Sequence, residues 1–301
     1  MADRIPNLFL VGAMRSGTTA LHEVLGSHPD VFMSQVKEPA FFADPAELAL
    51  DSRVAAAAGY AGDRAAYLGL FAGAGNAMYA GESSTHYTKR PRINGAAGRI
   101  AETAPNARIL YLVRDPVRRT LSHYRYHVRA KYERLPCLQA LRTEPVYCAT
   151  SDYAMQIEPF FEAFGRDAVH IVVLEELTRD PTGELQRIYD WLGIPATGGR
   201  TELPQRNEVT GDIARARGPA ALHSIGRSSS YQRIARALVP QRVRRRVRSL
   251  LNEPIVAEDI DTPEVLDYLR AVHGPQVDRF EPIVGRPMEL WTTTRHGRTT
   301  G

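Results

Sequence analysis

The sequence predicts an α/β protein: a parallel sheet flanked by helices, followed by a helical C-terminal region. Three largely apolar runs predict it, Leu8–Val11, Arg108–Val113 and Val169–Leu174, and each precedes a stretch with helical spacing. A run that stays apolar without alternating suits a strand buried on both faces. Strands that alternate with helices build parallel βαβ units.

The elements follow in order. Leu8-Phe9-Leu10-Val11 is the first strand, Gly12 to Gly17 a loop, and Thr18–Leu25 a helix whose Ala20, Leu21, Val24 and Leu25 share one face. The alanine-rich segment from Pro45 to Gly75 is expected to be helical. The second strand ends at Arg114-Asp115-Pro116, with Asp115 placed to cap a helix running from about Val117 to Arg129 and Pro116 at its first position. The third strand leads through Glu175-Glu176 to a helix over Thr182–Leu192. Beyond Gly198 the sheet pattern fades. The expected organisation is one domain, 1–301, with an α/β core at 8–195 and a helical region at 198–301.

That last region contains a basic stretch, 213–252, in which no acidic residue occurs while arginine recurs from Arg215 to Arg248. A solvated basic helix pair, contact with an anionic acceptor or cofactor phosphate, and an amphipathic membrane-surface helix all fit it. Over 301 residues, 44% hydrophobic and 24% charged composition supports a full core and excludes global disorder. The net charge of +4 favours anionic ligands. Arginine far outnumbers lysine, as a GC-rich genome would also produce. Cys137 and Cys148 match no zinc spacing and are expected as two thiols. No apolar run reaches the length of a signal-peptide core or a membrane span, so a cytoplasmic protein is expected.

Gly12-Ala13-Met14-Arg15-Ser16-Gly17-Thr18-Thr19 has the two glycines of a nucleotide P-loop at the usual spacing, so the expected fold is a P-loop-containing parallel sheet. Thr18 stands where that loop carries its lysine, and a cation occurs three residues earlier as Arg15. Backbone N–H groups and a helix N-terminus still offer themselves to an anion. The loop is poorly equipped for a triphosphate with bound Mg²⁺ and suits a single 5′-phosphate that carries the transferable group. A plain glycine turn before a helix is the alternative.

Arg15-Ser16-Gly17-Thr18-Thr19 resembles the 5′-phosphosulfate loop of sulfotransferases that use 3′-phosphoadenosine 5′-phosphosulfate (PAPS). The likeness is to the branch of heparan sulfate sulfotransferases and many bacterial relatives. Lys37-Glu38-Pro39-Ala40-Phe41-Phe42 resembles that branch's Lys-Glu-x-x-Phe-Phe motif, and Leu112–Pro116 with Ser122-His123-Tyr124 its 3′-phosphate strand and helix. Leu174–Leu177, Trp191–Ile194 and Asp278–Trp291 resemble its later elements, so the likeness spans about 8–195 and the closing helix.

The resemblance implies that Arg15, Ser16, Gly17, Thr18 and Thr19 hold the 5′-phosphosulfate, that Arg114 and Ser122 hold the 3′-phosphate, and that Glu38 is the catalytic base. Arg15 is then the cation for the departing 5′-phosphate oxygen, Lys37 a substrate or donor contact, and no metal is required. The product is 3′-phosphoadenosine 5′-phosphate (PAP). Glu82-Ser83-Ser84-Thr85-His86-Tyr87 departs from the family's Glu-Lys-Ser/Thr-Pro-x-Tyr at Ser83 and Thr85, so a lysine role does not transfer, and His86 becomes the alternative base or an acceptor contact. Tyr153 resembles a position near the donor, with a core role as the alternative. Arg206-Asn207, Thr210-Gly211 and Arg217 are candidates for the late donor loop, and His123 is expected to pack. The implied acceptor is a carbohydrate or other small molecule; no nucleic acid partner is expected. A P-loop kinase or NTPase, and a non-catalytic basic nucleotide- or nucleic-acid-binding protein, stay as rival readings.

Overall fold

The computed structural model describes residues 4–49, 60, 62–204, 213–216, 252–255 and 260–295. β1 (Leu8–Gly12) leads into α1 (Thr18–Leu25), followed by β2 (Val31–Met33), α2 (Pro45–Ala49), α3 (Arg64–Gly69) and β3 (Tyr79–Ser83). A 3₁₀ turn, Thr85–Thr88, leaves β3 and is followed by α4 (Ala96–Thr103), β4 (Arg108–Val113), α5 (Pro116–Arg129), α6 (Cys137–Thr143), α7 (Val146–Ala149) and α8 (Tyr153–Phe164). β5 (Val169–Val173) runs straight into α9 (Leu174–Arg179) and then α10 (Pro181–Leu192). β6 (Ile213–Ala216), β7 (Asn252–Ile255), α11 (Pro263–Val284) and α12 (Thr292–Arg295) complete the described elements.

The chain divides into two compact units: Met1–Thr120 with Pro145–Asn207 and Leu269–Gly301, and Leu121–Glu144 with Glu208–Tyr268. In the first, β1 to β5 form one sheet in the order β2-β3-β1-β4-β5, every neighbouring pair parallel. Leu8 stands in register with Gly81 on one side and Arg108 on the other, which makes β1 the central strand. Side chains alternate across the pleat. Phe9, Val11, Ile109, Tyr111 and Val113 enter a core with Tyr67, Ile100, Ile157 and Phe160, while Leu8, Leu10, Leu110 and Leu112 enter another with Leu21, Val24, Ile188 and Leu192. Helices thus cover both faces, as a parallel sheet requires.

In the second unit, β6 and β7 pair antiparallel, Ile213 opposite Ile255. The first four residues of the basic stretch therefore pair as a strand with β7, which begins at the stretch's last residue, Asn252, where the sequence predicts helix. Within that unit the Tyr124 hydroxyl donates to the Leu135 carbonyl at 2.9 Å, and Arg125 pairs with Asp261 at 2.6 Å.

Other departures have local causes. β2 and β3 are absent from the sequence reading because β2 is three residues long and β3 reads Tyr-Ala-Gly-Glu-Ser, too polar to look buried. The third strand stops one residue early, since Leu174 opens α9 with Glu175 and Glu176 in its first turn, where acidic side chains favour a helix start. Within 45–75 the described helices are only the short α2 and α3; 50–59 and 61 lie outside the described residues. Cys137 and Cys148 form no disulfide. No described helix is long and apolar enough to cross a membrane.

Asp115 is the helix cap the sequence predicts, and it caps a second helix as well. Its Oδ1 accepts from the amides of Val117 and Arg118 at 3.0 and 3.2 Å and from the Thr294 hydroxyl at 2.9 Å. Its Oδ2 accepts from the amides of Thr293 and Thr294 at 3.0 and 3.2 Å, in the first turn of α12. The Asp115 amide donates to Glu175 Oε1 at 3.0 Å, and Trp291 Nε1 donates to Glu175 Oε2 at 3.1 Å, which closes the ring. An N-cap contributes about 0.5–2 kcal/mol. Asp115→Ala is expected to lower unfolding stability by more than one cap's worth, and Asp115→Asn by less; urea titration at constant m-value measures both.

Candidate active site

Every strand of the parallel sheet ends on the same edge, and the site residues follow those ends. After β1 the chain makes the glycine loop Gly12–Gly17. A Cβ on Gly12 would lie 2.1 Å from Thr88 Oγ1, whose hydroxyl donates to the Val11 carbonyl at 2.7 Å. Gly17 adopts φ 92°, in the left-handed region open to glycine, and a Cβ there would lie 2.9 Å from Leu174 Cδ1. Both glycines are therefore demanded by the structure. Arg15 points outward with φ 71°. Ser16 is fully buried, and its Oγ has no hydrogen-bond partner within the protein. A buried hydroxyl with no partner, at the start of a helix, fits a polar ligand.

After β2 comes the turn carrying Lys37 and Glu38. Lys37 Nζ lies 3.2 Å from Thr18 Oγ1, so an ammonium from another strand end stands beside the loop position that lacks a lysine. The same Nζ is 3.1 Å from Glu38 Oε1. Glu38 also accepts from the Thr85 amide at 2.8 Å and from the Thr85 hydroxyl at 3.2 Å, and His86 Nδ1 lies 3.0 Å from its Oε2. The two residues that the sequence offers as alternative bases are thus in contact.

Glu38 (φ 61°) and Ala40 (φ 54°) both adopt left-handed backbone, a conformation that costs a non-glycine residue about 1–3 kcal/mol and persists only where the surroundings impose it. The Glu38 amide donates to the Ser83 carbonyl at 2.8 Å, the Ala40 amide to Ser84 Oγ at 3.0 Å, and the Phe42 amide to the Tyr87 hydroxyl at 3.3 Å. Burial alone would raise the Glu38 carboxyl, but the interaction with His86 and the charge of Lys37 overcome it and hold the group well below the usual carboxylate range. Burial, with Lys89 nearby, pulls His86 below the ordinary histidine value. At neutral pH the pair is an ionised Glu38 and a neutral His86.

After β4, Arg114 Nη1 donates to the Arg15 carbonyl at 3.4 Å. The structure thus brings the two arginine-bearing strand ends together. The Tyr153 hydroxyl donates to the Arg114 carbonyl at 2.6 Å and accepts from its amide at 3.4 Å, while the ring packs against Tyr111, Phe280 and Trp291. Tyr153 is therefore a core residue that fixes the Arg114 backbone.

Arg119 is a site residue that the sequence reading omits. Fully buried, it donates from Nη1 to the Met14 carbonyl at 3.4 Å, from Nε to Ser151 and from Nη2 to the Tyr147 carbonyl. Sequence spacing gave no such signal: at about 3.6 residues per turn, Arg119 lies on the side of its helix opposite Val117, Leu121 and Tyr124, with Ser122 and His123. Ser122, half-buried on α5, belongs to the second compact unit, as does His123, whose ring packs on His127 with 4.3 Å between centroids. Arg206, Asn207, Thr210, Gly211 and Arg217 lie outside the described residues. Among the described residues, no group of three or more His, Cys, Asp or Glu is arranged to hold a metal ion.

The class defined by this geometry is a parallel α/β protein with a glycine loop after its central strand and cationic side chains after β2 and β4. A model of the sulfotransferase family matches residues 6–198. Heparan sulfate glucosamine 3-O-sulfotransferase 3A1 of Mus musculus is 27% identical over 212 residues, covering 64% of this chain and 47% of that protein. Heparan sulfate glucosamine 3-O-sulfotransferase 6 of Homo sapiens is 30% identical over 200 residues, covering 64% and 53%. The crystal structure of a sulfotransferase from Alicyclobacillus acidocaldarius shares the fold, with a TM-score of 0.64 and 24% identity over 96% of this chain and 99% of that one. The chain spans about half the length of the curated relatives it matches. It belongs to the sulfotransferase family.

The electrostatics of the Glu38 turn make a titration prediction. A cation beside a carboxylate favours its ionised form, so removing the cation raises the carboxyl's pKa. In ¹³C NMR, Glu38 is expected to stay ionised from pH 8 down to the ordinary carboxylate range, and its midpoint to move up in Lys37→Met. A wild-type midpoint above the ordinary value would contradict the geometry.

Proposed function

We propose that this chain transfers the sulfuryl group of PAPS to a hydroxyl or amine of a carbohydrate or glycosylated small metabolite. The observation that carries the reading is the meeting of Arg114 with the Arg15 carbonyl, beside the turn that holds Lys37, Glu38 and His86. The family supports PAPS as donor, and the names of the matched relatives support a carbohydrate acceptor.

In this reading the backbone N–H groups of Gly17 to Thr19 and the buried Ser16 hydroxyl receive the 5′-phosphosulfate, and Arg114 takes the 3′-phosphate. A planar guanidinium suits that phosphate, since it donates two parallel hydrogen bonds. The Ser122 role in 3′-phosphate binding rests on the sequence motif alone. The acceptor oxygen attacks sulfur as the bond from sulfur to the 5′-phosphate oxygen breaks. The acceptor's proton passes to Glu38, and Arg15 stabilises the charge left on the departing phosphate of PAP. Catalysis of this kind comes mainly from alignment and from fixed charges where charge develops. An ionised Glu38 with a depressed pKa is a weak base in the resting site. An anionic donor that draws Lys37 toward itself strengthens that base. His86, held neutral, orients the carboxylate.

Three measurements test the reading. Arg15→Ala and Arg114→Ala should each weaken PAP binding by about tenfold or more, as expected for a lost hydrogen bond to a charged group; unchanged calorimetric affinity refutes the assignment. Glu38→Gln should bind PAP normally and lose about 10²–10⁴-fold in turnover, the usual contribution of a general base. Full activity of that variant transfers the role to His86. Incubation with sulfur-labelled PAPS and a panel of sugars, glycosides, phenols and lipids, followed by mass, should show label entering a sugar or glycoside; no transfer to any of them defeats the proposal.

A further inference from the structure

Behind the Lys37–Glu38 turn lies a carboxyl group that the mechanism above does not use. Glu82, near the end of β3, is fully buried. Its Oε1 accepts from the hydroxyls of Tyr67 at 2.7 Å and Tyr87 at 2.8 Å, and its Oε2 accepts from the Ser84 hydroxyl at 2.8 Å. Two of these donors also serve the turn. Ser84 Oγ accepts the Ala40 amide and the Tyr87 oxygen accepts the Phe42 amide, at 3.0 and 3.3 Å. Phe41 stacks on the Tyr67 ring at 4.2 Å between centroids.

The direction of each hydrogen bond matters. A hydroxyl has one proton and two lone pairs, whereas an ionised carboxylate only accepts. While Glu82 accepts, Ser84 and Tyr87 must aim their protons inward, which turns their lone pairs toward the amides of Ala40 and Phe42. Those amides lie at Ala40, itself left-handed, and two residues beyond it, on the C-terminal side of Glu38. Burial, opposed by the three hydroxyls, pushes the Glu82 carboxyl up to about 7, so such a group is retained in the core only with its donors in place.

We propose that Glu82 is a positioning residue for Glu38: acting through Ser84 and Tyr87, it holds the Ala40 and Phe42 amides and thereby the left-handed turn that presents the Glu38 carboxylate. The proposal rests on the assignment of Glu38 as base, but its structural half is measured without turnover. Glu82→Gln keeps the shape and adds an amide donor, which must displace at least one inward-pointing hydroxyl proton. In the full-length Glu82→Gln variant, amide hydrogen exchange at Ala40, Phe42 or both should quicken at least tenfold, with Leu21 and Val24 of α1 and Leu110 of β4 within twofold of wild type. With an acceptor from the label-transfer panel, kcat should fall at least tenfold while the PAPS KM and PAP affinity stay within twofold. Ser84→Ala should quicken Ala40 alone and Tyr87→Phe should quicken Phe42 alone, and these two variants decide the question if Glu82→Gln does not fold. Unchanged exchange at both amides in the folded variants overturns the proposal, as does a loss of kcat matched by an equal loss of PAP affinity. If wild type transfers no label but the exchange pattern holds, the support of the turn stands and the base assignment falls.

Discussion

Five strands that all run in one direction must place all their carboxyl ends along one edge, and the rest of the site follows from that constraint. Ligands of open α/β sheets bind at this edge, where the strand order reverses about a central strand. Here the central strand is β1, with β3 and β4 as its neighbours. The loop after β1 supplies amides and Arg15, the turn after β2 supplies Lys37 and Glu38, the 3₁₀ turn after β3 supplies Thr85 and His86, and the end of β4 supplies Arg114. Segments far apart in sequence thus meet without any long excursion of their own.

Cations in this arrangement also serve a structural purpose. Arg114 and Arg119 each donate to a carbonyl of the phosphate loop, those of Arg15 and Met14. The Ser16 amide, across the same peptide as the Arg15 carbonyl, donates to the Ala13 carbonyl at 3.2 Å, so these contacts together fix the shape of the loop. Arg119 does this from full burial, where Ser151, the Tyr147 carbonyl and the Thr120 hydroxyl accept further hydrogen bonds from it. Burying a guanidinium is costly unless such acceptors are present.

How much of this was legible in the sequence depends on whether the signal was local. The strands at 8–12 and 108–113 and the helix Thr18–Leu25 were legible because uninterrupted apolar residues and helical spacing lie within one short window. The Asp115 cap was legible for the same reason, but its second helix was not, since Thr293 and Thr294 are distant in sequence. Glu38 and His86 were each visible, whereas their contact was not. β3 was hidden because Glu82 makes it look like a surface segment; only the fold reveals the hydroxyls from Tyr67, Ser84 and Tyr87 that allow a carboxyl there. The basic stretch shows the reverse case: composition suggested helix, yet its first residues, 213–216, pair as a strand with 252–255 through backbone hydrogen bonds that composition does not encode.

The double cap at Asp115 also orders events during synthesis. A chain emerging amino end first produces all five strands of the sheet well before residues 291–294 appear. Until they do, Asp115 lacks the donors from Thr293 and Thr294, and Glu175 lacks that from Trp291. Contacts of such long range are made late. A nascent polypeptide can therefore pair its five strands while the edge beside Arg114, and the part of one core that Phe280 and Trp291 fill, still wait for those residues.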